Sequence, residues 1–258
     1  NFTTAALDDI FCALPDRTGN TNGKIQPVYN SSSSNHATVL ATNAANATAK
    51  NWKVQYFKNN TDIPATTGTY TCPQLNMSSY ITLTVANGQA IRLDFKAAAR
   101  GTPVRIVSGS NTQDITVGTV WYDGNSPSTY TVTARASTMT VYGDITVFRC
   151  SDNYANLTAL DPLHNTELRL LSCYSNQLTS LDVSKNTQLE ALWCRNNNLT
   201  TLDVSKNTKL TTLYCHGNNL STQALDDIYC ALPDRTGNTN GVIQPVYNSS
   251  SSNHATVL

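Results

Sequence analysis

Between residues 145 and 220 one spacing recurs every 21 residues, and no other feature of this chain leaves its fold so little freedom. Leu168, Leu171, Cys173, Asn176, Leu178 and Leu181 are followed by Leu189, Leu192, Cys194, Asn197, Leu199 and Leu202. A third pass gives Leu210, Leu213, Cys215, Asn218 and Leu220. A divergent first pass runs Ile145, Phe148, Cys150 and Asn153, then Leu157 and Leu160 after two inserted residues. Within one pass Leu171 and Cys173 have the two-residue alternation of a short strand, and Leu178, Leu181 and Val183 hold a return segment. A single 21-residue coil has nothing to pack these side chains against. Stacking merges them into one apolar column in which each buried Leu contributes roughly 1.5–3 kcal/mol.

The recurring polar and thiol positions follow from the same geometry. Cys150, Cys173, Cys194 and Cys215 fill one inward slot in successive coils. Stacked strands put such sulfurs roughly 5 Å apart, and the spacing lacks the C-x-x-C of a zinc site, so they read as core thiols. Asn176, Asn197 and Asn218 stand where each strand must turn, and their amides suit the backbone groups that a tight coil would leave unpaired. Positions between the inward residues form three outward files: Leu170, Ala191, Thr212; Ser172, Trp193, Tyr214; and Tyr174, Arg195, His216. Trp193, Tyr214, Tyr174, Arg195 and His216 thus make a candidate ligand-binding patch, since aromatic and Arg side chains dominate binding hot spots. Cover by another part of the chain would account for the same residues.

The pattern L-x-x-L-x-C-x-x-N-x-L-x-x-L-D-V-S-K-N-T resembles bacterial leucine-rich repeats of the internalin-like kind with a cysteine ladder. The tract LTSLDVSKNTQLEALWC looks like the surface-antigen repeats of Bacteroidetes. The resemblance covers about residues 144–223. It implies a short solenoid on a secreted or surface-anchored, non-enzymatic protein, whose concave face binds host or cell-surface macromolecules, protein or glycan. The competing expectation is a purely structural stalk or extracellular filament subunit with no specific ligand.

A second, longer repeat frames the first. Residues 1–40 recur as 219–258 with 35 of 40 positions identical; the differences are Phe2/Leu220, Thr3/Ser221, Ala5/Gln223, Phe11/Tyr229 and Lys24/Val242. This predicts tandem units of 218 residues whose partners include neighbouring copies of themselves. Ala224–Leu232 is apolar at helical spacing and stops before Pro233, as a capping helix would. Its copy opens the chain at Ala6–Leu14, followed by a strand near Ile25–Tyr29, a helix over Thr38–Lys50 and a strand Trp52–Phe57. Residues 1–57 are therefore expected to be the C-terminal cap of a preceding repeat module, 58–75 a linker, 76–143 an antiparallel β domain, 144–223 about four coils, and 224–258 the start of the next cap. Because 219–258 has no counterpart of 41–57, an unfinished edge is expected at Leu258. In the β domain Asn87-Gly88, between Tyr80–Val85 and Ala90–Phe95, predicts a two-residue hairpin, with further strands at Pro103–Val107, Ile115–Trp121, Tyr130–Ala134 and Met139–Tyr142. The fold class is mainly β with minor α.

Composition narrows the function. Seventeen basic residues balance seventeen acidic ones at 13% charged, too weak a field to attract nucleic acid or an anionic membrane. No stretch approaches the roughly 20 apolar residues of a membrane span. The 29 Asn and 37 Thr suit turns and strands, while 40% hydrophobic residues supply a core. Neither H-E-x-x-H, G-x-S-x-G nor a phosphate-cradling Gly loop occurs, so neither an enzyme nor a cofactor is expected. His36 and its copy His254 sit in a Ser-rich loop, and Thr18–Tyr29 lacks the final Glu of a calcium loop, so no metal is expected. Nine Asn-x-Ser/Thr sequons occur, among them Asn156, Asn198 and Asn219 from the N-x-L-T of the repeat, and read as coincidence and not as glycan sites. Cys12 and Cys230 are duplicates, and Cys72 is isolated, with both a disulfide and a free thiol open to it.

Overall fold

The computed structural model describes residues 2–119, 129–236 and 241–245. The expected unfinished edge at Leu258, the loop bearing His254 and the C-terminal end of the strand expected at Ile115–Trp121 lie outside these. The chain forms two compact units, residues 1–74 and 75–258.

The first unit contains α1 (Thr4–Ala13), β1 (Gly23–Val28), α2 (His36–Leu40), α3 (Ala45–Thr48) and β2 (Trp52–Tyr56). Thr3 caps α1 by accepting the Ala6 N–H. β1 and β2 pair in parallel. Leu7, Val28, Val39 and Tyr56 form one apolar cluster, and Phe11, Ala47 and Val54 another. The helix expected over Thr38–Lys50 is two short ones. Thr42 donates its hydroxyl to the Val39 carbonyl and Asn43 N–H turns to the Asp8 carboxylate, so the backbone between them leaves the helical ladder. All but the last residue of the linker expected at 58–75 fastens onto this unit. Thr67 N–H donates to Leu40 O, Asn43 donates to Tyr70 O, and Cys72 is disulfide-bonded to Cys12.

The second unit holds β3 (Tyr80–Val85), β4 (Ala90–Ala97), β5 (Thr102–Ser108), β6 (Asn111–Val117), β7 (Thr129–Thr133), β8 (Thr138–Tyr142), β9 (Ile145–Arg149), β10 (Leu157–Asp161), β11 (Leu170–Ser172), β12 (Ala191–Trp193), β13 (Thr212–Tyr214), α4 (Thr222–Ala231) and β14 (Val242–Gln244). One sheet has the order β10-β3-β8-β5-β6, the other β14-β13-β12-β11-β9-β4-β7. Asn87-Gly88 therefore does not close a hairpin. Gly88, at φ +82°, turns the chain from one sheet into the other. β3 already has β10 and β8 on its two edges and β4 has β7 and β9, so neither has an edge left for the other. Their alternating faces, Ile81, Leu83 and Val85 against Ile91, Leu93 and Phe95, meet instead in one apolar core.

The repeats continue this core. Leu171 pairs with Leu192 and Leu192 with Leu213, each 21 residues apart, and Leu171 pairs with Phe148 across the two-residue insertion. All these pairings are parallel, as successive coils of one hand require. β4 then joins β9 antiparallel through Phe95 and Phe148, and β10 joins β3, so the expected β domain and the first coil are one packed body. Leu157 and Leu160, expected as the return segment of the first coil, belong to β10 of the five-stranded sheet. At the other end Ser221 caps α4 by accepting from Ala224 N–H, and Ala224, Leu225 and Ile228 pack into the same core.

Candidate functional site

Inside the stack the recurring amides stitch coils together. Asn176 donates to the carbonyls of Cys150 and Cys173, both at 2.9 Å, and accepts from Asn153 N–H at 3.1 Å. Asn197 repeats this with Cys173 and Cys194 at 3.0 Å and Leu178 N–H at 3.1 Å. Asn218 does so with Cys194, Cys215 and Leu199 N–H. Each therefore satisfies a carbonyl of its own coil, one of the preceding coil and an amide that the turn strands. The residue two places after each Cys has a left-handed backbone: Asp152, Ser175, Asn196 and Gly217. At Gly217 a Cβ would also lie 2.2 Å from Asn196 Oδ1, so any other residue would have to displace that side chain as well as adopt the left-handed backbone. A second ladder was not singled out from the sequence, although its residues recur in the K-N-T of the motif. Asn186 donates to Pro162 O and Asn165 O, and Asn207 to Val183 O and Asn186 O.

The four ladder thiols are wholly buried. Burial raises the Cys150, Cys173 and Cys194 thiols far above the ordinary range, and Cys215 up to about 12. A neutral thiol in an apolar column is neither nucleophile nor ligand. Iodoacetamide should therefore modify only the exposed Cys230 of the five free cysteines in the folded chain, and all five after unfolding, as counted by intact mass. Labelling of a ladder thiol in the folded chain would refute the column.

On the outward face Trp193 and Tyr214 stack with centroids 5.9 Å apart and planes 18° from parallel. The Arg195 guanidinium carbon lies 3.8 Å from the Tyr174 ring centroid, a cation–π pair. These four are half-buried, not fully solvent-facing. His216, expected on the same open face, is buried at 5% exposure. Burial lowers its basicity, the Arg195 charge adds to this, and a bond with the Gln244 backbone opposes it. Ser172 is also covered, bonded to Ser151 at 2.8 Å. The register extends the Ser172–Trp193–Tyr214 file to Arg149 on one side and Gln244 on the other. Arg149 is 4.0 Å from the Asp94 carboxylate. Counting the two inserted residues back from Ser172 would have found Arg149.

Asp16 accepts from Thr18 N–H and hydroxyl and closes a turn, and His164 stacks on Tyr80 at 4.2 Å. No group of three or more His, Cys, Asp or Glu side chains gathers to hold a metal among the described residues, and no described helix is long and apolar enough to cross a membrane.

No curated protein matches the chain. Among solved structures, the functional domain of InlJ from Listeria monocytogenes, described as including a cysteine ladder, is 44% identical over 29% of this chain and 16% of its own, with a TM-score of 0.28. The matched part is thus a small fraction of that protein's length. The family model for Leucine Rich repeats (2 copies) matches residues 187–229, which span β12, β13 and most of α4. Residues 187–229 thus match the pattern of leucine-rich repeats.

Proposed function

We propose that this chain is a non-enzymatic module of a secreted or cell-surface bacterial protein, a short leucine-rich solenoid closed by a helical cap, that binds protein or glycan through the strand face around Trp193. The observation that carries the reading is a pair of ring contacts between adjacent coils: the Trp193 stack on Tyr214, and the Arg195 guanidinium over Tyr174. Stacked rings and a guanidinium held over a ring are fixed before a partner arrives, so little side-chain entropy remains to be lost on binding. Arg149 and Gln244 widen the face beyond the two central coils. The disulfide between Cys12 and Cys72 suits an oxidising compartment and supports a place outside the cytoplasm.

The test is a comparison of the parent chain with a Trp193→Ala/Arg195→Ala variant on arrays of purified cell-surface proteins and glycans. Loss of two anchors, at about 2 kcal/mol or more together, predicts at least about thirtyfold weaker binding to whichever array member the parent retains, with the melting temperature little changed. Equal retention by the two proteins would remove the face from the binding site. A structural stalk is the second reading, favoured by the 35 identities between residues 1–40 and 219–258. Units whose task is reach and stiffness have no cause to diversify. That reading predicts no retained array member at all.

A further inference from the structure

The two copies of the duplicated segment use opposite edges of the same strand. In β1, Gly23 N–H donates to Asn51 O, which places the amides of Gly23 and Ile25 toward β2, ahead of the irregularity that shifts the register between Ile25 and Val28. In β14, Val242 N–H donates to Thr211 O and Cys215 N–H to Gln244 O, which places the even-numbered amides toward β13. Val242 and Gln244 correspond to Lys24 and Gln26. Successive amides of a strand point to alternate edges, so the amides that hold β14 on the coil stack are, in β1, those of an edge that carries no strand among the described residues.

The helices show the same division. Leu220 is 3% exposed and Ile228 fully buried against the stack, whereas their counterparts Phe2 and Ile10 are 55% exposed and half-buried. Conversely Phe11 is buried and Asp8 is 4% exposed, holding Asn43 N–H, whereas Tyr229 is 38% exposed and Asp226 open. Each copy satisfies one half of the element. Residues 1–74 have the half that faces their own following segment, and residues 219–245 the half that faces the coils before them. The sequence difference at Phe2/Leu220 keeps a large apolar side chain at the seat.

We infer that the open edge of β1, with Phe2 ahead of α1 and Ile10 within it, is the docking seat for the last coil of a leucine-rich stack like residues 191–218, joined to this chain directly ahead of Asn1. The join follows from the alignment of Asn1 with Asn219, because Asn218 is the last rung of the coil that α4 follows. The complete element is then a strand paired on both edges in parallel, β13-like on one side and β2-like on the other. It would couple consecutive 218-residue units through their backbones. This does not depend on the binding face at Trp193.

The test uses the full chain and a version extended by a second copy of residues 75–218 fused to Asn1, compared by amide hydrogen exchange. In the parent, Gly23, Ile25, Val242 and Gln244 are expected to be protected while Lys24 and Gln26 exchange freely. In the extended chain, Lys24 and Gln26 should slow by roughly a hundredfold, and Phe2→Asp in that chain should restore their fast exchange. Phe2→Asp in the parent should leave exchange across residues 1–74 unchanged. The proposal is overturned if Lys24 and Gln26 exchange alike in both chains, if the added coils stay unprotected although the same sequence folds at 145–218, or if these amides are already protected in the parent by its self-association.

Discussion

Replacing Asn197 with alanine should lower the stability of the second unit by about 3 kcal/mol or more and its melting temperature by roughly 10 °C. The size follows from what is left behind. Asn197 donates to the carbonyls of Cys173 and Cys194 and accepts from Leu178 N–H, all in buried surroundings. Alanine removes every partner at once, and each backbone group so stranded costs about 1–3 kcal/mol. The loss falls between two coils, so it weakens the interface on which a repeat array depends as well as the coil itself. Asn198→Ala is the control. That side chain donates to Gln177 Oε1 at the surface, and its loss should cost no more than about 0.5 kcal/mol. Thermal unfolding of the two variants side by side checks both values, and similar melting would mean that the ladder amides do not hold the stack.

How far such effects were foreseeable differs along the chain. In the coils each residue's environment is set by its equivalent 21 positions away, so the pairing of Leu171, Leu192 and Leu213 and the burial of the four thiols are legible from spacing alone. The Asn176, Asn197 and Asn218 ladder follows for the same reason. Periodicity does not say which strands meet once the period stops. Asn87-Gly88 has hairpin chemistry, yet turn residues specify only the local backbone, and the edges of β3 and β4 were taken by β10 and β9, distant in sequence. The same limit hid the role of residues 58–74, whose Thr- and Asn-rich composition looks like a connector while their backbone groups and Cys72 are tied to α1 and its neighbours. On the outward face alternation identified Trp193, Tyr214, Tyr174 and Arg195, but it carries no information on depth. His216 lies beside the β14 backbone, a contact supplied by residues outside the repeat.

Cys72→Ser should destabilise the first unit by about 4 kcal/mol while leaving the second untouched. The bridge to Cys12 spans a sequence separation of 60, and cross-linking so long a loop removes that much chain entropy from the unfolded state. The unit has little to set against the loss. Its apolar interior is split into two small clusters, one of Leu7, Val28, Val39 and Tyr56 and the other of Phe11, Ala47 and Val54, and a body of this size is marginal without a staple. The second unit shares one core from Ile81 to Ile228. Calorimetry of the variant should therefore show a low-temperature transition from the first unit and an unshifted one from the second. Limited proteolysis should cut within residues 1–74 first. Cys230 supplies the internal comparison: it has the sequence surroundings of Cys12 but is exposed and free, so Cys230→Ser should change neither transition. If Cys72→Ser and Cys230→Ser melt alike, the bridge adds nothing, and the first unit must be held by its parallel β1–β2 pair and two clusters alone.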